Sequence, residues 1–399
     1  MKYKLIPAAV LGLLAGSALA QSSVTLYGTL DGGILSQNSS AQGYSTTIPG
    51  ATADKGHLTK FQDGGIGASN WGIRGSEDLG GGLKANFQLQ GNISLATGAS
   101  NPISGAVAPR TSAAFNQVAM LGMSGGWGEV KMGRQISPLY YAVAFTDPRE
   151  GRYFGSILGA MVGMNSSAGW AGTTTNVPLS TVYDDSSVVY TLPNMGGVTV
   201  NYQHTFGNID GSARAGARDA ITMLYNNGAG LRLSAVYYNA ADSYTLPTNA
   251  TGKVNNRVTH LGAKYAWGQF SVGAGFMNAK NPSGVPAGMG VVNAASPALG
   301  STAGNSNYDT WSVGVGYTFS PALRLLTGYY HIKDKNNSAN QSDLLAVGMD
   351  YSLSKRTTAY LQAGHVKNKG TMNQALVYGT PVAAGVTTTG YMLGLRHSF

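Results

Sequence analysis

The chain has 399 residues, no cysteine, 57 glycines and a net charge of +9 at pH 7. Without thiols it can hold neither a disulfide framework nor a cysteine-bearing zinc site. Glycine at about 14% is roughly twice the usual share, and the 11% of charged residues is less than half of it. With a mean hydropathy of −0.05, apolar residues are dispersed among small polar ones, as in strands with one apolar and one wet face.

Residues 1–20 read as a secretory signal peptide. Lys2 and Lys4 give a basic start, LIPAAVLGLLAG is a short apolar core, and Ala18-Leu19-Ala20 is a small-residue cleavage site, with cutting expected before Gln21. The apolar run is shorter than the roughly 20 residues of a spanning helix, and nothing later approaches that length. Removing Lys2 and Lys4 from +9 leaves +7. Export and the scatter of Lys and Arg both argue against a nucleic-acid partner.

From residue 21 the chain is a succession of alternating segments. VTLYGTLDGG (24–33) reads as a first strand. NWGIRGSEDLGGGLKANFQLQ (70–90) is a hairpin: Trp71 and Ile73 alternate with Arg74, EDLGGG turns, and Leu83 to Gln90 alternate again. The same unit returns over 115–134, 187–203, 220–238, 259–276, 311–331 and 345–366, each turn built from Gly, Pro, Asn or Ser. YMLGLRHSF closes the chain with Tyr391, Leu393, Leu395, His397 and Phe399 at every second position. Long connections fall at about 34–68, 92–113, 135–186, 207–218, 239–256, 281–307, 335–342 and 369–388.

One strand at each end plus seven hairpins makes sixteen strands, with short and long connections alternating throughout. That is the pattern of an all-β, 16-stranded antiparallel transmembrane barrel. An unpaired edge in lipid would cost several kcal/mol per backbone group, so the last strand must pair with the first. Parity then assigns faces. With Trp71, Phe87, Phe270, Trp311, Tyr317, Leu345, Tyr351 and Leu395 toward lipid, Arg74, Lys84, Arg232, Lys264, Arg324, Arg356 and Arg396 line the lumen. So do Lys131 and the acidic Asp350 and Glu129. The parity of 115–123 is ambiguous.

SSVTLYGTLDGG, SNWGIRGSEDLGGGLKANFQL, GWGEVKMGRQ, YTLPNMGGVTVNYQ, DYSLSKRTTAY and the terminal YMLGLRHSF together resemble the trimeric general-diffusion porins of Gram-negative outer membranes, particularly the β-proteobacterial type. The resemblance spans the whole chain. It implies a homotrimer in outer-membrane lipid and lipopolysaccharide, passing small hydrophilic solutes and ions. It also implies a terminal aromatic, here Phe399, read by the outer-membrane assembly machinery. In such porins the third extracellular loop folds into the lumen, which here matches 135–186, a segment too long for an ordinary connector. Carboxylates on that loop facing basic wall residues set the field at the constriction. Asp147 and Glu150 are the loop candidates, and Arg74, Lys131 and Arg134 the wall candidates; strict parity sends Arg134 outward, so its role requires a register slip or a strand end. Gln117 and Tyr183 stand where many relatives carry Arg, which weakens the field. Mild anion selectivity is expected.

Enzymatic signals are thin. The six histidines never fall at i, i+4 spacing, GNIDGSARAG is followed by no helix, and nothing marks a nucleophile–base pair. No enzyme, metal or cofactor is expected. Tyr140, Tyr141, Phe145, Tyr153 and Phe154 in the long loop keep a substrate-specific uptake channel in play, whereas a barrel enzyme would have fewer strands.

Overall fold

A computed structural model describes residues 23–40, 54–100, 114–158, 182–241, 253, 255–281, 306–370, 372–380 and 382–399. The proposed signal peptide and residues 159–181 of the long segment lie outside these.

One antiparallel sheet closes on itself. The strand β1 (Ser23–Gln37) is followed by β2 (Leu58–Asp63) and β3 (Asn70–Gly80), then β4 (Leu83–Asn92), β5 (Val118–Gly125) and β6 (Gly128–Ile136). A short helix, α1 (Pro138–Thr146), precedes β7 (Tyr183–Thr191), β8 (Val198–Thr205), β9 (Arg218–Asn226) and β10 (Leu231–Ala241). The remaining strands are β11 (Asn255–Trp267), β12 (Phe270–Asn281), β13 (Ser306–Ser320), β14 (Leu323–Asp334), β15 (Gln341–Ser352), β16 (Thr357–Lys369) and β17 (Thr387–Ser398).

These seventeen segments form sixteen staves, because β2 and β3 share one. Both pair with β1, β2 along Gly32–Gln37 and β3 along Ser23–Thr29. Residues 64–69 bulge inward between them. That inner bulge wraps Asp31, whose carboxylate accepts from the backbone N–H of Gly65, Ile66 and Gly67 (3.1, 2.9 and 2.8 Å) and from the Tyr360 hydroxyl (2.7 Å). The alternating pattern alone leaves β2 inside the long connection 34–68; its pairing with β1 makes it a strand.

Closure comes from β1 and β17, in register from Thr29 opposite Ser398 to Gln37 opposite Gly390. Beyond the ladder, Phe399 and Gly28 exchange both backbone bonds (3.0 and 3.1 Å), and the phenyl ring lies where a Gly28 side chain would stand.

The outward face is apolar, with Leu121, Met132, Leu261, Val315, Leu345 and Leu393 exposed. Aromatic rings pack in a row across it, some stacked and some edge-on. Tyr265, Trp267, Phe270, Tyr317 and Phe319 stand 4.7–6.0 Å apart at the short-turn end, and Phe276 and Trp311 5.5 Å apart six residues further along their strands. Such girdles bound the hydrocarbon layer. No helix among the described residues is long and apolar enough to cross a membrane; the strands cross instead. The fully buried side chains are inside the barrel, under the folded-in loops: Leu139, Phe154, Tyr330, Ile332, Leu344 and Leu376 among them.

Candidate pore constriction

The long segment turns inward at Ser137. Pro138 begins α1, where its missing N–H costs nothing, and Leu139, Ala142 and Val143 are buried against the inner wall. The helix stops at Asp147, and residues 147–158 then run along the inner face of β11–β16. Small wall residues make room for them. A Cβ at Gly314 would come within 2.6 Å of Pro148 Cβ, and one at Gly328 within 2.8 Å of Arg149 Cδ. Gly328 and Gly364 each pair with Ala346, continuing the shallow track from strand to strand.

Four charged residues of DPREGR then find different partners. Asp147 is 3% exposed. Its Oδ2 accepts from the N–H groups of Arg149 and Gly151 (3.0 and 2.9 Å), and its Oδ1 from the Tyr330 hydroxyl (2.9 Å). Burial raises its carboxyl above the ordinary value despite these donors. Asp147 therefore shapes the loop from a buried position and does not stand at the lumen surface, where a constriction charge is expected. Arg149, fully buried, donates to the Leu326 carbonyl (2.9 Å), the Phe154 carbonyl (3.2 Å) and Gln362 Oε1 (2.7 Å). Burial, with neighbouring Arg152 second, lowers its guanidinium to about 10.

Glu150 and Arg152 form the charged centre. Glu150 Oε1 is 2.9 Å from Arg324 and 3.2 Å from Lys264, while its Oε2 is 4.0 Å from Arg152. Arg152 grips Asp350 with two donors, one at 2.8 Å, and Arg324 reaches the same carboxylate at 3.2 Å. Burial alone would raise Glu150, but Lys264, Arg324 and Arg152 together hold it below the ordinary carboxylate value. Glu150 has φ 62°, a left-handed conformation that non-glycine residues rarely adopt, and the surrounding ion pairs hold it there. The loop carboxylate thus pairs with Lys264 and Arg324, not with the wall candidates Arg74, Lys131 or Arg134.

Those three lie elsewhere. Arg74 stacks over the Tyr27 ring, 5.1 Å from its centroid. The Tyr27 hydroxyl donates to Gln90 (2.9 Å) and accepts from Gln88 (2.7 Å), and Gln90 donates to Gln117 (2.6 Å). Gln117, just before β5, is thereby an inward member of a neutral amide chain. Within β5, Val118 and Met120 stand opposite the inward Gln90 and Gln88 while Leu121 and Met123 are exposed outward, so Gln117 is out of step with the strand that follows. Lys131 pairs with Glu129 at 3.2 Å. The register slips at Arg134: Gly133 faces Ser187 and Gln135 faces Asp184, so two residues oppose one. Arg134 pairs there with Asp185, and its guanidinium lies 5.4 Å over the Tyr183 ring.

Of the other expected lining residues, Arg232 lies 5.3 Å over Phe145 of α1 and sits opposite Lys264. Lys84 is exposed near its turn, and Arg396 alternates with outward Leu395 and His397 on β17. Arg356 is not on the wall. It occupies the exposed turn between β15 and β16, where its carbonyl accepts from the Ser398 N–H (2.8 Å).

Sequence reading missed the eighth long connection as a lumen element. Residues 372–380 fold inside and join the loop tip: Tyr378 N–H donates to the Tyr153 carbonyl (2.9 Å), Gly155 N–H to that of Leu376 (2.9 Å), and the Tyr153 and Tyr378 rings are 4.6 Å apart. The apolar run ALVY (375–378) inside a supposedly solvated loop was the available signal.

A model of the Gram-negative porin family matches residues 8–371. The chain belongs to that family. The porin is 29% identical to outer membrane porin protein 32 of Delftia acidovorans and 28% identical to an outer membrane porin protein of Bordetella pertussis, in both cases over the whole of both chains. Its fold matches the anion-selective porin from Comamonas acidovorans with a TM-score of 0.70 at 23% identity, covering 95% of this chain and all of that one. It also matches the trimer form of OmpT, an outer membrane protein of Vibrio cholerae, with a TM-score of 0.60 at 15% identity, covering 95% and 99%. This porin is therefore a passive diffusion channel for small hydrophilic solutes and ions across the outer membrane. Family members are channels, not enzymes.

Proposed function

We propose that the constriction is lined by Glu150, Arg152, Lys264, Arg324 and Asp350 on one side and by Arg74 on the other, and that it prefers anions mildly. The carrying observation is the charge balance around Glu150. Arg152, Lys264 and Arg324 converge on only two carboxylates, Glu150 and Asp350. Arg74 and Arg232 stand over aromatic rings with no carboxylate partner among the described residues. Lumen charges behind low-dielectric walls focus their field on passing ions. Lys131 and Arg134 add little, each being paired with its own carboxylate. The anion-selective porin of similar fold supports this reading.

The mature porin, on the same proposal, begins at Gln21 and works as a homotrimer in lipid and lipopolysaccharide, with Phe399 as the mark read by the assembly machinery. Carrying no enzymatic activity, it uses no cofactor. Zero-current potentials across planar bilayers in a KCl gradient test the selectivity: chloride should permeate faster than potassium, and Arg74→Ala should reduce the excess. A potassium preference in the native channel overturns the reading. Native mass measurement in mild detergent tests the trimer, and only monomers would exclude it.

A further inference from the structure

A cavity of about 350 Å³ opens on the long-loop side of the constriction, between β2, residues 92–97 and the tips of the two folded-in loops. Lys60, Gln62, Asp63, Asn92, Tyr153 and Tyr378 line it. Its volume falls in the range of small-molecule pockets, roughly 300–1,000 Å³.

Lys60 is opposite Leu35 in the β1–β2 ladder, and Leu35 is fully buried on the inner side, so Lys60 shares the inward face. No described carboxylate lies within ion-pair distance of it. Two neighbouring polar groups, Asp63 and Gln62, are already engaged. Asp63 accepts from the Ser94 hydroxyl (2.7 Å) and the Leu95 N–H (2.6 Å), and Gln62 Oε1 accepts from the Thr380 hydroxyl (2.8 Å). One side is closed by the Tyr153–Tyr378 pair, which backbone bonds hold in place: Tyr153 N–H to the Ile66 carbonyl (3.3 Å) and Tyr378 N–H to the Tyr153 carbonyl. The cavity thus offers one cation outside ion-pair distance of the described carboxylates, though within the field of Asp63, and a fixed aromatic surface. Asp63 adds a negative charge that disfavours a second anionic group.

We propose that this cavity binds a small aromatic monocarboxylate, with its carboxylate on Lys60 and its ring against the Tyr153–Tyr378 pair, before the solute enters the constriction. The carboxylate would form a charge-assisted hydrogen bond with the ammonium, and the ring would pack in an offset or edge-on arrangement. The inference rests on the anion-preferring channel and names a solute class for it.

The test is current block by benzoate, added on the long-loop side of channels reconstituted in planar bilayers. Benzoate should reduce KCl current saturably. Lys60→Gln should raise the half-blocking concentration about tenfold or more, and Lys60→Arg should restore it, at a tenfold change per about 1.4 kcal/mol of lost binding. Phthalate should block more weakly than benzoate, benzyl alcohol should not block, and Lys335→Gln, outside the cavity, should change nothing. Heat-resistant oligomer on gels shows that each variant has folded. Non-saturating benzoate, equal block in Lys60→Gln, or equal block by benzyl alcohol overturns the site. The KCl zero-current potential is read without benzoate. Loss of block with chloride preference intact therefore refutes only the site, and potassium preference with saturable block refutes only the selectivity.

Discussion

Glu150→Gln removes the carboxylate on which Arg152, Lys264 and Arg324 converge, leaving Arg152 and Arg324 on Asp350 and taking from Lys264 its ion pair. The substitution keeps the side-chain shape, so the first-order effect is one unit of charge. At about 8 Å in water that charge is worth ~0.5 kcal/mol to a passing monovalent ion. With a Debye length of ~30 Å at 0.01 M salt, ~0.4 kcal/mol survives. Anion and cation feel it with opposite sign, so their permeability ratio should move toward anions by ~0.8 kcal/mol, about fourfold. At 1 M salt, where the Debye length is ~3 Å, the shift should nearly vanish. The assay is the zero-current potential of reconstituted channels in tenfold KCl gradients, one set low and one high in salt. No shift at low salt would show that Glu150 does not control the ion path. A shift undiminished at high salt would show that the variant acts by moving the loop.

Asp147→Asn should change the same potential far less than Glu150→Gln, because Asp147 is buried under three donors; an equal shift would restore it as an eyelet charge. Gly328→Val places a side chain within 2.8 Å of Arg149 Cδ and Tyr330 Cε2, and overpacking of this kind costs about 1–3 kcal/mol. It should dislodge the loop and give noisier single-channel current, and quiet native-like traces would contradict the track. Selectivity should be flat from neutral pH down through the ordinary carboxylate range, then rise toward anions as Glu150 protonates. Its folded value lies below the unfolded one, so its contribution to holding the loop is present above the unfolded value and lost as pH falls through the folded one. A pH titration of the zero-current potential reads the midpoint, and one above the ordinary glutamate range would contradict the ion-pair assignment. Deleting Phe399 removes a half-exposed ring and two backbone bonds, at most a few kcal/mol. It should nevertheless sharply lower the amount of folded barrel in the outer membrane, and unchanged abundance would remove its targeting role.

Alternation along each strand is a local property, because successive Cβ atoms point to opposite faces. Trp311, Tyr317, Leu345 and Leu395 could therefore be assigned outward, and Lys264, Arg324 and Asp350 inward, from the order of residues alone. Barrel closure followed from the chain end, since an open edge in lipid is too costly. Pairing is not local. Glu150 meets Arg324 and Arg152 meets Asp350 across 174 and 198 residues, and no periodicity encodes which inward charge stands opposite which loop residue. Asp147 and Glu150, three residues apart, looked equivalent in sequence. The helix ending at Thr146 and the left-handed turn at Glu150 bury one and expose the other. The same holds for β2 and for residues 372–380. The bulge at 64–69 splits a stave around Asp31, and ALVY turns inward because the loop tip at Tyr153 and Phe154 offers it backbone partners. Sequence determined the barrel and, along its regular strands, the side of the wall on which most residues sit; tertiary contact decided which charges remain for a passing ion, because neutralisation depends on distances that only the closed barrel defines.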